Sequence, residues 1–378
     1  MTIYVVKEGD TIHSIASAAG ISAAEIAGDN QILYPYPLAV GQALYLAGKK
    51  PSPDPRRLFS FGYAYPFIHY RILNETLPFL SALYVFSYGF TKEGHLIPPA
   101  SDDAWMIEEA KEARTAPVLT LTPLGEDGRF NNHLVSELVR NPDVSQRLIW
   151  ELGRTMQEKG FRGLDIDFEY VLAEDRERFA DFVSQARKTL NLFGYSVSVA
   201  LPPKTSADQK GLLYEGIDYG LLGKAANYVM LMTYEWGYSQ GPPMAVAPIH
   251  MVRRVVDYAV TEIPREKICL GIPNYGYDWP LLFKQGVTRA KTISNVEAVR
   301  LAVEQGAEIK FDETAKSPYF RYSQNGIEHE VWFEDVRSIL AKFELIKEYG
   351  LLGAGYWQLM NYFRANWLMM DEMFQIVT

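Results

Sequence analysis

The chain has 378 residues, of which 48% are hydrophobic and 22% are charged, so it can bury a substantial core and does not have the composition of a disordered protein. Its formal net charge of −9 argues against nucleic acid and anionic membrane surfaces as partners, because both would repel it. Cys269 is the only cysteine, so no internal disulfide can form and a buried thiol is expected. The amino terminus lacks the basic and apolar regions of a signal peptide, and the apolar runs are shorter than the ~18 residues needed for membrane insertion.

The amino-terminal segment predicts a small unit with the order strand, helix, helix, strand. Two runs of strand composition, residues 3–6 and 43–46, enclose two helical patterns. Asp10 or Thr11 can cap the first helix, and Ser22 starts a capping-box sequence for the second. The pattern therefore predicts a βααβ domain.

This unit, residues 1–47, resembles the LysM module that binds peptidoglycan and chitin. The resemblance lies in the opening Tyr-Val-Val-Lys-Glu-Gly-Asp-Thr-Ile from Tyr4 and in the closing Val-Gly-Gln-Ala-Leu that ends at Leu44. It implies binding to glycans that contain N-acetylglucosamine. The glycan-binding residues that it implies are Gly9, Asp10, Thr11 and Asn30. The alternative is a small packing domain without affinity for glycans.

A proline-rich segment, residues 48–55, is predicted to be a short extended linker, and a second domain follows it over residues 56–378. In that domain eight short apolar runs alternate with helical patterns, which predicts an α/β fold, the (β/α)8 TIM barrel. The runs are Leu58–Tyr63, Ala82–Ser87, Pro117–Thr122, Gly163–Glu169, Ser196–Leu201, Asn227–Thr233, Lys267–Pro273 and Leu352–Gln358. The long interval between the last two runs, about residues 282–334, predicts an α+β insertion that walls one side of a cleft.

Three carboxylates at a spacing of two residues distinguish the fourth run. On a strand, Asp165, Asp167 and Glu169 would share one face while the apolar residues between them pack on the other. Like charges held together oppose joint ionisation, so at least one of these carboxyl groups is expected to have a raised pKa, as a general acid requires. The alternative is a solvated edge strand with one acidic face.

These residues resemble glycoside hydrolase family 18, whose fourth-strand pattern is D-G-x-D-x-D-x-E. The match continues in the stretch Met232-Thr-Tyr-Glu, in the seventh run and in Gly353-Ala-Gly-Tyr-Trp. Parts of the insertion resemble the spore-cortex and spore-germination branch of the family, which carries amino-terminal LysM modules. Two positions depart from the family pattern, because Arg162 stands where the first Asp lies and Glu235 stands where the Tyr-Asp pair has Asp. An arginine beside the acids would lower a carboxyl pKa if it faced them.

The resemblance implies a retaining mechanism in which the substrate's own acetamide is the nucleophile. Glu169 would be the acid and base, Asp167 would hold the acetamide N–H, and Asp165 would tune Asp167. Tyr234 would donate a hydrogen bond to the acetamide oxygen, and Trp357 would form an apolar floor under the sugar. Core packing is the alternative role for these two aromatic residues. The predicted substrate-binding residues are Trp357, Met232, Glu235, Tyr63, Phe86 and Tyr275.

Other chemistry has little support in the sequence. The six histidines show no metal-ligand spacing, and we expect neither a metal site nor a cofactor. The sequence therefore predicts an N-acetylglucosaminidase-type hydrolase acting on peptidoglycan of the spore cortex. A chitin-type glycan is the alternative substrate, and a non-catalytic glycan-binding coat protein is the alternative of another class. The expected location is the spore coat or cortex surface, with a cytoplasmic or non-classically exported protein as the alternative.

Overall fold

The computed structural model describes residues 2–48 and 55–377. The amino-terminal unit consists of β1 (Thr2–Val5), α1 (Ile12–Ala19), α2 (Ala23–Asp29) and β2 (Ala43–Leu46). The two strands pair in antiparallel register around a small core in which Leu44 is fully buried. Thr11 caps α1 and Ser22 caps α2, while Gly20 ends α1 in the left-handed conformation. The predicted βααβ domain is confirmed. Most of the predicted linker, residues 48–55, lies outside the described residues.

The second domain is a closed barrel of eight parallel strands. The barrel strands are β3 (Arg56–Ala64), β4 (Ala82–Phe90), β6 (Ala116–Leu121), β7 (Gly163–Ile166), β8 (Ser196–Leu201), β9 (Tyr228–Leu231), β10 (Ile268–Pro273) and β16 (Gly353–Trp357). The pairing of β3 with both β16 and β4 closes the barrel. Two short strands extend the sheet, β5 (Leu96–Ile97) beside β4 and β17 (Phe374–Ile376) beside β3. Each barrel strand coincides with a predicted apolar run, and the predicted barrel is confirmed.

Helices surround the barrel and cover its outer face. They are α3 (Tyr70–Thr76), α4 (Ala104–Glu112), α5 (His133–Arg140), α6 (Pro142–Lys159), α7 (Arg176–Asn191), α8 (Tyr219–Ala225), α9 (Ile249–Glu262), α11 (Val336–Tyr349) and α12 (Arg364–Met373). Short 3₁₀ turns occur at Leu77–Phe79, Ala173–Asp175 and Arg265–Lys267. Apolar residues from both faces of the strands are buried, as expected where helices cover a parallel sheet. Cys269 lies in the core inside the barrel. Among the described residues, no helix is both long and apolar enough to cross a membrane.

The insertion between β10 and β16 is a five-stranded antiparallel sheet with one helix. Its elements are β11 (Gly276–Pro280), β12 (Lys291–Ile293), α10 (Asn295–Glu304), β13 (Lys310–Asp312), β14 (Ser317–Gln324) and β15 (Ile327–Trp332). The first strand of this sheet precedes the predicted boundary at residue 282. The reason is that β11 pairs with β12 and β15 rather than with the barrel.

The amino-terminal unit is docked on the barrel domain through backbone and side-chain contacts. The amide of Ile309 in the insertion donates to the carbonyl of Val40 at 2.9 Å, next to Gly41. Elsewhere the Tyr45 hydroxyl donates to the Glu372 carboxylate at 2.9 Å. These contacts set the orientation of the unit relative to both the barrel and its insertion.

The close approach at Gly41 predicts that Gly41→Ala weakens this docking. Gly41 has φ 82°, and a Cβ atom there would lie 1.8 Å from the Ile309 carbonyl oxygen. We expect a cost of about 1–3 kcal/mol, seen as faster hydrogen exchange of the Ile309 amide. Gly28→Ala on α2 is the control, since a Cβ there meets nothing within 4 Å. Equal exchange rates in the two variants would contradict the prediction.

Candidate active site

The acidic run lies at the carboxyl end of β7. The strand ends at Ile166, so Asp167 and Glu169 belong to the loop that follows it and not to a longer strand as predicted. The amide of Asp167 still donates to the carbonyl of Leu121 at 2.9 Å, which keeps the chain extended beyond the strand. Alternation therefore continues, and Phe168 is buried on the opposite side in the outer core. A solvated acidic edge is excluded by this burial.

Asp165 is fully buried and held by two hydroxyl groups. Tyr63 donates to its Oδ2 at 2.9 Å, and Ser198 donates to its Oδ1 at 2.7 Å. The hydroxyls of Tyr84 and Tyr228, 2.7 Å apart, extend this network, with Tyr84 lying 3.2 Å from the Ser198 hydroxyl. Burial raises the pKa of Asp165 to about 6, although both donors act to lower it. Tyr63 is thus a partner of Asp165 as well as a residue of the cavity wall.

Asp167 is buried beside two other carboxyl groups. Its Oδ1 atom has no hydrogen-bond partner among the described residues. Burial, followed by the charges of Glu169 and Asp165, raises the pKa of Asp167 well above its ordinary value. An unpaired buried acceptor of this kind is costly unless a ligand supplies a donor.

Glu169 lines the cavity and has a raised pKa. Burial is the main cause, and the negative charge of Glu235 adds to it. A raised pKa keeps the carboxyl group protonated nearer neutral pH, where it can serve as a general acid. The environment of Glu169 therefore suits proton donation.

Glu235 is clamped by two tyrosines of the loop and strand that begin the insertion. Its Oε1 accepts hydrogen bonds from the Tyr275 hydroxyl at 3.0 Å and from the Tyr277 hydroxyl at 3.2 Å. Glu235 itself has φ 65°, a left-handed conformation that is uncommon for residues with a side chain. Tyr275 was predicted to bind substrate; in the structure its hydroxyl donates to Glu235, and Tyr275 is not among the residues that line the cavity. Tyr277 was not foreseen, although it follows Tyr275 at the period-two spacing of a strand.

These groups surround a cavity of about 550 Å³. Its volume is in the range of small-molecule sites. The predicted residues that line it are Tyr63, Phe86, Asp167, Glu169, Met232, Tyr234, Glu235 and Trp357. Asp165 and Tyr275 lie behind this wall. Aromatic residues that sequence reasoning missed also line it, namely Tyr65, Phe130, Tyr170, Tyr214, Trp236 and Tyr238. They lie in loops, where no periodic pattern marks them.

Trp357 and Tyr234 occupy positions that suit binding to a sugar. The Trp357 ring makes edge contacts with Phe86, Tyr63 and Tyr65 at centroid distances of 4.9, 5.6 and 6.2 Å. Burial and the nearby carboxylates raise the pKa of Tyr234 well above its ordinary value, so its hydroxyl remains a proton donor. Trp357 is half-buried and lines the cavity, which leaves its ring able to contact a ligand.

Arg162 does not face the acids. It precedes β7, whose opposite end carries the carboxylates, and its side chain is exposed. Within the part of the chain that the structure describes, no arginine or lysine charge is among the causes of the pKa shifts of the three acids. The condition under which Arg162 would lower a carboxyl pKa is therefore not met, because the strand separates Arg162 from the acids.

The predicted glycan-binding side chains of the amino-terminal unit are engaged in its own structure. Asp10 accepts hydrogen bonds from the Tyr4 hydroxyl and the Lys7 amide, both at 2.8 Å. Thr11 caps α1.

Asn30 donates to the carbonyls of Ile26 and Tyr45 and accepts from the Tyr45 amide. The Asn30 side chain is thus hydrogen-bonded within the module, and its role in glycan binding stays a prediction. Gly9, at φ 81°, supplies the turn before α1.

Comparison with known proteins decides the family. The model of glycosyl hydrolases family 18 matches residues 110–361, more than half of the chain. The chain belongs to glycosyl hydrolases family 18. Residues 4–47 match the LysM domain, so the resemblances of both domains are confirmed. The family 18 chain is accordingly a glycoside hydrolase with an amino-terminal LysM module.

Relatives of this family 18 hydrolase share both domains over its full length. The cortical fragment-lytic enzyme of Bacillus subtilis (strain 168) is 40% identical and covers 100% of this chain and 99% of that protein. The crystal structure of the spore cortex-lytic enzyme SleL of Bacillus cereus has a TM-score of 0.83 and 37% identity, covering 99% of this chain and 87% of that one. SleL of Bacillus megaterium QM B1551 gives a TM-score of 0.82 and 38% identity, covering 100% of this chain and 87% of that one.

The buried Asp165 predicts that Asp165→Asn stabilises the family 18 barrel at neutral pH. Asp165 has a pKa of about 6 in the folded state, against an ordinary value of 3.8. Between these two pH values the folded state binds more protons than the unfolded state, so the protein loses stability as the pH rises through this range. A neutral amide avoids this loss, which corresponds to about 3 kcal/mol above pH 6, and it gives up one acceptor oxygen for Tyr63 or Ser198 at a cost that does not change with pH. Urea unfolding should therefore show a gain at pH 7.5 that disappears below pH 4. The same gain at both pH values would count against ionisation as its cause.

Proposed function

We propose that this family 18 enzyme hydrolyses spore-cortex peptidoglycan beside N-acetylglucosamine, by a retaining mechanism in which the substrate acetamide is the nucleophile. The observation that carries the proposal is the pairing of Asp167, whose Oδ1 lacks a partner, with Glu169, whose pKa is raised, in one aromatic cavity. An acetamide N–H would supply the donor that Asp167 lacks.

In the first step, Glu169 protonates the glycosidic oxygen as the bond from this oxygen to the anomeric carbon breaks. The acetamide carbonyl oxygen bonds to the anomeric carbon, while Asp167 accepts the acetamide N–H and the Tyr234 hydroxyl donates to the carbonyl oxygen. The intermediate is a cyclic oxazolinium. In the second step, water attacks the anomeric carbon, and Glu169 takes its proton as the carbonyl oxygen leaves. The sugar at the cleaved bond keeps its anomeric configuration, because its anomeric carbon is inverted once in each step.

Asp165 and Trp357 support this reaction from opposite sides. Asp165, fixed by Tyr63 and Ser198, lies behind Asp167 and contributes to its raised pKa. The sugar bound at the reacting position would stack on Trp357, whose ring has three aromatic neighbours that fix its position. Glu169 and Asp167 act on the reacting atoms, and Asp165 is a positioning residue.

The substrate assignment draws on the relatives and on the LysM module. The three full-length relatives described above are cortex-lytic or cortical fragment-lytic by their names, and the LysM family implies binding to glycans that contain N-acetylglucosamine. Both point to association with the spore cortex or coat. Chitin carries the same acetamide on every sugar, so it is the competing substrate. A coat protein that only binds glycan would have no use for a glutamate with a raised pKa in the cavity.

The mechanism predicts that Glu169→Gln loses about 10²- to 10⁴-fold in rate on cortex muropeptides. The amide cannot exchange the proton, while the fold and the cavity remain. Mass spectrometry of the reducing ends should show new N-acetylglucosamine ends with the wild type alone. Glu177→Gln, at an exposed position on α7, is the matched control and should keep full activity. Faster turnover of chitin oligomers than of muropeptides would favour the competing substrate, and binding without cleavage by the wild type would favour a coat protein.

The charge of Glu235 predicts a change in the pH profile. Its negative charge raises the pKa of Glu169, so Glu235→Gln should lower that pKa. Because the acid must be protonated to act, the alkaline limb of kcat/KM should move to lower pH. Tyr277→Phe removes one hydrogen bond but keeps the charge, and should move the limb less. A shift of the Glu235→Gln limb to higher pH would refute this electrostatic role.

A further inference from the structure

The chain between β8 and α8, residues 202–218, borders the catalytic cavity. The structure describes this stretch throughout, and neither a helix nor a strand occurs in it. We call it the wall segment, because Pro203, Leu213 and Tyr214 line the cavity. Two strands, β9 and β10, separate β8 from β16 in the barrel. The wall segment therefore borders the cavity on a different side from Trp357.

The wall segment has little apolar core of its own. From residue 205 to residue 215, every residue is exposed or half-buried. Leu212, the neighbour of two cavity-lining residues, is 76% exposed. A segment with few buried apolar contacts is expected to be held less firmly than the barrel strands. Polar contacts must therefore supply much of the support that keeps Tyr214 at the cavity.

Lys204 provides such contacts from a buried position. It is 2% exposed, which is rare for a lysine. Its ammonium group donates to the carbonyl oxygens of Ile217 at 2.7 Å, Ala207 at 3.2 Å and Tyr214 at 3.3 Å. An ammonium group has three N–H donors, so these three acceptors can use all of them. The buried charge is thus compensated by the backbone of the wall segment.

The three acceptors are spread along the wall segment. They lie three, ten and thirteen positions after Lys204, so one side chain connects the start, the middle and the end of the segment. The backbone of Lys204 is fixed as well, because its amide donates to the hydroxyl of the fully buried Tyr219 at 3.0 Å. Tyr219 in turn donates to the carbonyl of Pro202 at 2.6 Å. The place of a cavity-lining tyrosine therefore depends on a lysine that is fixed in the core.

The far end of the wall segment also packs against the loop that follows β7 and carries the acids. A Cβ atom at Gly216 would lie 1.9 Å from the Val171 carbonyl oxygen, so the two backbones are in close contact. Arg176 Nε donates to the Glu215 carbonyl at 2.9 Å. These contacts do not involve the Lys204 ammonium. Its loss should therefore displace the preceding part of the segment more than the loop of the acids.

We propose that Lys204 is a positioning residue for substrate binding, whose ammonium holds the wall segment so that Leu213 and Tyr214 contact the glycan in the catalytic cavity. The proposal rests on the proposed function for the reaction and for the substrate class. A wall of this kind contacts the sugar in the ground state and in the transition state alike. Its displacement should therefore raise KM and leave kcat nearly unchanged.

The first test is the kinetics of the full chain carrying Lys204→Met on cortex muropeptides. Methionine has a similar length but no N–H donor, so it removes the three hydrogen bonds. We expect KM to rise by ~10-fold or more and kcat to change by less than about threefold. Lys267→Met is the matched control and should keep the KM of the wild type. The Lys267 ammonium also donates to backbone carbonyls, those of Gly223 and Ala226, but at the amino end of the barrel strands.

A second variant tests the wall without changing the buried lysine. Tyr214→Ala removes a half-buried ring from the cavity wall and should also raise KM by ~10-fold. If Lys204 acts through this wall, Lys204→Met and Tyr214→Ala together should raise KM by less than the product of their separate effects. Leu212→Ala, at an exposed position that does not line the cavity, is the control.

A third measurement keeps Lys204 in place, so it does not depend on the folding of Lys204→Met. The full chain carrying Glu169→Gln, which prevents turnover, is labelled with 15N at the lysine side chains and titrated with chitotetraose. Contact of the sugar with the wall segment should shift the NMR signal of the Lys204 ammonium in a saturable manner. The signal of the Lys267 ammonium should not move.

The outcomes separate this proposal from the proposed function. A raised KM in Lys204→Met and Tyr214→Ala, with kcat retained and effects that do not multiply, supports the positioning role. A loss confined to kcat, an equal rise of KM in Lys267→Met, or effects that multiply fully overturn it while cleavage by the wild type stands. An unchanged KM in Tyr214→Ala or an unmoved Lys204 signal at saturation overturns it even if Lys204→Met does not fold. A wild type that cleaves neither muropeptides nor chitin oligomers overturns both proposals.

Discussion

The burial of three carboxyl groups at the end of one barrel strand is the constraint on which the site depends. Among residues 2–48 and 55–377, no positive side chain offsets them, so the protein relies on neutral donors and on retained protons. Tyr63 and Ser198 satisfy Asp165, the deepest of the three. Asp167 and Glu169 receive no comparable support, and their pKa values rise. Burial makes these carboxyl groups costly to ionise and thereby raises their pKa values. The same burial therefore lowers stability and favours proton donation.

The insertion links this chemistry to the glycan-binding module. Its first strand supplies Tyr277 to the clamp on Glu235, and its loop before β13 supplies Ile309 to the docking contact with Val40. A support of the cavity residue Glu235 and a support of the LysM module therefore belong to the same insertion. Because β11 pairs with β15 through four residue pairs, displacement at one end of this sheet would be opposed by the other. The insertion is a structural connection between two sites that the linear sequence places far apart.

Much of the fold was predictable because local patterns determine it. Each barrel strand is an apolar run long enough to be recognised by itself, and the period-two spacing of Asp165, Asp167 and Glu169 is sufficient to indicate the site. The end of β7 was misplaced because the chain stays extended after Ile166, held by a contact with Leu121 that no local pattern shows.

The remaining features depend on tertiary contacts. Arg162 is adjacent to the acids in sequence, yet it lies at the other end of the strand. Asn30 was assigned to glycan binding by resemblance, whereas its hydrogen bond with Tyr45, 15 positions away, appears only in the folded module.

The pair Glu169 and Glu235 shows how one cavity gives two carboxyl groups different tasks. Two tyrosine hydroxyls donate to Glu235, whereas no hydrogen-bond donor contributes to the pKa shift of Glu169. The charge of Glu235 in turn raises the pKa of Glu169 and, in the proposed mechanism, favours the proton that the first step consumes. In the second proposed step Glu169 accepts a proton from water, and the same repulsion would make the return of that proton more favourable. The tyrosine clamp would thus contribute to both proposed steps, although neither hydroxyl needs to touch the reacting sugar.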